Sequence, residues 1–175
     1  MSIVSDFDVG SVLEKLTGIP GKILLHHEVQ DLPQLVLHDL SHDDVFGFDK
    51  AVYLIDNPDF DCLKGVAGYS RHECKFHKHD VWQNPANFHQ DMQAADFNSQ
   101  LKQFLRNGIK RKDVDTHDED DLTALGQSLG LQNPKFLTWP MRHGNHGILI
   151  FETSEQACSK KHNLLPHAGP LLSLC

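Results

Sequence analysis

Histidine is the residue type through which this chain could do chemistry. Thirteen of its 175 residues are histidines, and an imidazole can bind a borderline metal or move a proton near neutral pH. They are densest in residues 72–80, which read His-Glu-Cys-Lys-Phe-His-Lys-His-Asp. His77 and His79 stand two apart, so a strand would point both rings to one side, about 7 Å apart along the chain. Two imidazoles so placed can share one ion if a third ligand comes from elsewhere. The same period of two turns His72 and Cys74 to the opposite side, which leaves Cys74 out of the set.

His89 is the nearest third ligand, on a helix expected to start at Pro85. A second pair, His143 and His146, sits in a glycine-containing loop between two expected strands, the kind of segment that carries functional groups on a rigid frame. The metal set expected from spacing is therefore His77, His79, His89 and His143. Asp80 and Asp91 stand ready as general base or as acceptors that orient a ligand ring. Such a site suits zinc or iron, and the simplest reaction for it is hydrolysis by metal-activated water. His26, His38, His117, His162 and His167 read as surface or hydrogen-bonding groups, His162 near the C-terminal dipole of a helix.

Sharper motifs fail on inspection. The pair His-x-Asp occurs at His42–Asp44 and again at His89–Asp91, too often in a chain rich in both residues to mean much alone. The acids from Asp113 begin like a calcium loop, but Asp118 occupies the glycine position and Ala124 the closing glutamate position. The four cysteines, Cys62, Cys74, Cys158 and Cys175, form no Cys-x-x-Cys pair. No P-loop, dinucleotide fingerprint or nucleophile elbow is written in the sequence.

The elements that must position these groups follow from hydrophobic period and turn chemistry. Val9, Val12, Leu13 and Leu16 fall on one helical face, which Gly18 and Pro20 are expected to end. Residues 22–29 alternate as a strand, and residues 35–40 read as a second strand, or as a short helix started by Pro33. Residues 50–55 and 62–69 flank a strong turn signal at 56–59 and form a hairpin, with Gly65 and Gly68 marking a bulge or a close backbone approach. Asn84 and Pro85 start a helix, and a break near residues 93–96 divides it from a second whose stripe is Phe97, Leu101, Phe104 and Leu105. Leu122, Leu125 and Leu129 mark another helix, entered through acids and closed by Gly130. Residues 135–139 and 147–151 return to strand, and Thr153 with Gln156 has capping-box spacing for a last helix.

Strands, then helices, then strands again imply an α+β fold: an antiparallel or mixed sheet with helices packed on one face. A chain of this length is expected to form one globular domain, residues 1–175. Hydrophobic residues make up 39% and charged residues 23%, an ordinary globular balance. The net charge of −8 argues against nucleic acid as a partner, since phosphate contacts need clustered lysine and arginine. The one basic triplet, residues 110–112, is followed at once by Asp113 and Asp115. The apolar runs are too short to cross a membrane, and the start lacks the basic and apolar stretches of a secretory signal. A cytoplasmic location with reduced thiols is the corresponding expectation.

Two other functions compete with the metal enzyme. The histidine cluster could serve a non-catalytic ligand-binding or sensor module. Alternatively, the apolar residues 164–175 could make an interaction module, packing on the chain's own core or bridging a homodimer.

Overall fold

The computed structural model describes residues 9–107, 118–153, 161 and 163–175. Five strands form one antiparallel sheet: β1 (Lys50–Asn57), β2 (Cys62–Ser70), β3 (Leu105–Asn107), β4 (Lys135–Pro140) and β5 (His146–Glu152), in the order β3-β2-β1-β5-β4. The β1–β2 hairpin follows from its turn residues. The Asn57 side chain accepts the backbone N–H groups of Asp59 and Phe60, and Asp61 takes the left-handed conformation at φ 47°. Tyr53 pairs with Ala67 while Leu54 pairs with Gly65, so Val66 is the extra residue of a bulge.

The glycines of β2 are there for a close approach. A Cβ on Gly65 would lie 2.0 Å from the Leu101 carbonyl oxygen, on helix α4 (Asp96–Gln103). Helix α3 (Pro85–Ala94) precedes α4, and the break between them falls at Ala95, as the sequence pattern implies. The stripe of Phe97 and Leu101 stops short of Leu105, however, because α4 ends at Gln103 and residues 105–107 pair with β2 as β3.

Helices cover both faces of the sheet rather than one. Ala51, Tyr53, Leu149 and Phe151 face a core shared with α1 (Val9–Leu25), α2 (Leu32–Leu40) and the C-terminal helix α6 (Ala168–Leu172). Val52, Leu54, Ile148 and Ile150 point the other way, toward α4 and α5 (Glu119–Ser128). The physical reason lies in the central strands. Residues 51–54 of β1 and 148–151 of β5 are buried at every position, so neither face can be left to water.

The first N-terminal strand expectation is corrected, and the second segment takes its helical alternative. Residues 22–25 are the end of α1, which runs through Pro20, and residues 26–28 form a turn. Val12, Leu16, Ile19 and Ile23 are all buried, so the helical stripe continues across the proline, and its burial outweighs the lost hydrogen bond. Residues 32–40 are a helix with Pro33 in its first turn. The capping-box spacing of Thr153 and Gln156 extends outside the described residues.

The C-terminal tail packs on its own chain. Leu165, Ala168 and Leu172 are buried, and the Trp139 indole N–H donates to Ser173 Oγ at 2.6 Å. Gly147 and Gly169 lie against the Trp139 ring, where a Cβ would come within 2.2 and 2.5 Å of it. No helix among the described residues is long and apolar enough to cross a membrane.

Candidate metal centre

Helix α2 delivers His38, in its last turn, into the core. The ring is fully buried, flanked by Tyr69, Phe88 and His42 at centroid distances of 5.9, 5.4 and 4.8 Å. His38 Nε2 donates to the Phe76 carbonyl at 2.9 Å. A carbonyl can only accept, so the proton is on Nε2 and the opposite nitrogen is left to find its own partner. That nitrogen, Nδ1, is buried with no hydrogen bond and lies 3.6 Å from Asp39 Oδ1.

Asp39 uses one oxygen for structure. Its Oδ2 accepts from Lys22 Nζ and from the Trp82 indole N–H, each at 2.8 Å, while Oδ1 faces His38. Burial opposes the charge, but the Lys22 ammonium and the Trp82 N–H outweigh it and hold the carboxyl below its ordinary value. His42 follows the Ser41 cap, which keeps right-handed helical angles. The chain turns on past the helix end, with the His42 N–H bonded to the Asp39 carbonyl at 3.4 Å, and this sets the His42 ring beside that of His38. Its Nε2 is buried and has no hydrogen-bond partner. Burial, and then the nearby His38, lower its proton affinity more than Asp39 and Asp44 raise it, so the ring is neutral near pH 7.

One ligand atom from each of His38, Asp39 and His42 lies within 4.8 Å of the others, and this is the group of three found among the described residues. A tetrahedral ion with bonds of about 2.0–2.1 Å needs donors about 3.3 Å apart. His42 and Asp39 are half-buried, so a side-chain rotation on the order of 1 Å closes the set. The helix C-terminus is the negative end of the macrodipole, which favours a cation.

Beside this group opens a cleft of about 180 Å³. It is lined by Lys15, Ile19 and Lys22 of α1, by Asp39 and His42, and by the exposed Lys78, His79 and Asp80.

The residues expected from sequence are placed differently from one another. Residues 71–80 are turns rather than a strand, so the parity that paired His77 with His79 does not apply. His77 Nδ1 bonds the Tyr69 hydroxyl at 3.0 Å, and its ring lies 6.0 Å from that of His42. His79 is exposed at the cleft rim, edge-on to Phe76. Asp80 shares that rim and caps the next turn, accepting from the Trp82 N–H at 3.1 Å. His89 is engaged at both nitrogens, Nδ1 by buried Asp31 and Nε2 by the Gln93 amide at 2.7 Å. Asp91 is buried and accepts the Lys75 N–H at 2.9 Å. His143 is exposed in the β4–β5 turn, with φ at 60°. The three-atom group includes none of these residues.

Sequence reasoning passed over His38 and Asp39. The available signal was His38 and His42 four apart with Asp39 between, which places ligands on one face only if residues 32–40 form a helix. Reading that segment as a strand hid it. No protein-family model matches the chain, and no curated protein matches its sequence.

Proposed function

We propose that this chain binds zinc or iron through His38, Asp39 and His42 and uses the adjoining cleft for a metal-dependent hydrolysis. The observation that carries the reading is a pair of orphaned nitrogens. His38 Nδ1 and His42 Nε2 are both buried and both without a hydrogen bond. Each unsatisfied buried polar atom costs about 1–3 kcal/mol, and an ion bound by both would relieve both. Two imidazoles and a carboxylate leave open coordination positions, as catalytic zinc and ferrous sites require.

A bound ion would supply Lewis acidity and an activated water. The chain's own groups do the rest. Phe76 fixes the tautomer of His38, Lys22 and Trp82 hold Asp39, and the exposed His79 accepts and returns the proton. His77, held by Tyr69, borders His42 on the other side. A sensor that only held the ion would have no need of the open cleft, which favours an enzyme over a binding module.

Elemental analysis of the protein, purified without a polyhistidine tag, tests the reading. About one zinc or iron per chain is expected, lost in His42→Ala and in Asp39→Asn. Sub-stoichiometric metal that both variants leave unchanged would sink it.

A further inference from the structure

The cleft has a charge pattern that the metal reading does not use. Lys15 and Lys22 stand seven apart on α1, two turns along one face, and Lys78, from the turn region after β2, lines the same cleft. Lys15 is paired with Asp44 and Lys22 with Asp39. Lys78 is exposed and has no ion pair among the described residues. Of the acids on the cleft, Asp39 is committed to Lys22 and to the proposed ion, and Asp80 to the turn it caps. With a divalent ion in place, this corner of a chain whose net charge is −8 becomes cationic.

We propose that the cleft takes a small phosphorylated molecule, its phosphate set between Lys78 and the α1 lysines over the His38–Asp39–His42 group. The proposal rests on the metal reading for its second positive charge and deepens it by naming the ligand class. A phosphate monoester carries about −1.5 to −2 charges near pH 7, which one free lysine and a partly neutralised ion match better than a single carboxylate would. Lysines act toward phosphate as movable point charges, and here two separate segments of the chain bring them to one cleft. The volume of about 180 Å³ falls below the range of about 300–1,000 Å³ for drug-sized ligands, so the phosphorylated molecule is small.

Calorimetric titration of inorganic phosphate, phenyl phosphate and benzoate tests this, on metal-free protein and on protein loaded with zinc. Lys78→Gln and Lys15→Gln are measured beside the wild type, and metal content is measured separately. Saturable binding of both phosphates is expected, tighter with zinc and weakened about tenfold in Lys78→Gln, with zinc uptake unchanged. Zinc uptake without phosphate binding overturns the ligand class and leaves the metal reading standing. Lysine-dependent phosphate binding without zinc uptake supports the cradle and rejects the metal. Benzoate bound as tightly as phenyl phosphate, or affinity unaltered by both lysine variants, also overturns the proposal.

Discussion

His38 Nε2 donates to the Phe76 carbonyl at 2.9 Å, and this bond ties the end of α2 to the turn that carries His77 and His79. It fixes the tautomer that leaves Nδ1 facing Asp39, so one contact braces the fold and prepares the candidate site.

The two histidines should therefore separate in stability. His38→Ala removes a fully buried ring and strands a carbonyl, a loss of about 2–4 kcal/mol. His42 is half-buried, and its alanine variant should lose about 1 kcal/mol or less. Urea midpoints for the two proteins measure the difference, and equal losses would contradict a bracing role confined to His38.

Glycine substitutions should split by environment. Gly65→Ala drives a Cβ into the Leu101 carbonyl and is expected to destabilise by about 2–3 kcal/mol. Gly18, inside α1, has nothing within 4 Å of its Cβ position, so Gly18→Ala should stabilise by about 0.5–1 kcal/mol. Thermal melts of both read the opposite signs directly.

Removing residues 164–175 should expose Trp139 and withdraw Leu165 and Leu172 from the core. Two buried leucines contribute about 3–6 kcal/mol, so the shortened chain should melt far earlier and its tryptophan emission should shift to the red. Light scattering on the same protein reads whether the tail also bridges a homodimer. An unaltered melt would contradict docking of the tail on its own core.

Alkaline pH should weaken the fold through Cys74. Burial, with a smaller contribution from the nearby Asp91 carboxylate, pushes the thiol up to about 11 from an ordinary 9.0. The folded state thus holds the proton more tightly than the unfolded state. Its contribution is complete below pH 9 and is lost as pH rises through about 11, a change on the order of 2–3 kcal/mol. Cys74→Ala should flatten this part of the stability curve. In native protein at pH 8, Cys74 should resist iodoacetamide until urea unfolds the chain.

What the sequence reveals of this fold depends on where the signal is local. The hairpin turn at Asn57, the cap at Asn84, the break near Ala95 and the close at Gly130 all rest on residues whose backbone chemistry acts within a few positions. The misread segments are those where burial on all sides erased the period. Residues 35–38 and 40 are all buried, and a short apolar run cannot tell a helix from a strand by pattern alone. Pro20 sent a false stop signal, because an isolated proline does not register the stripe of Ile19 and Ile23 packing on either side of it. The site was lost at the same place: on a strand His38 and His42 have no reason to meet a single ion, and on a helix they do.

The sheet also has margins, and they bear on what can attach to it. β3 is three residues long, and β4 is preceded by Pro134, begins at Lys135 and ends at Pro140. Proline withholds a backbone donor and lysine resists being covered, so among the described residues neither border offers a long template for another strand. A second molecule that meets these two borders finds side chains to read rather than a sheet to lengthen.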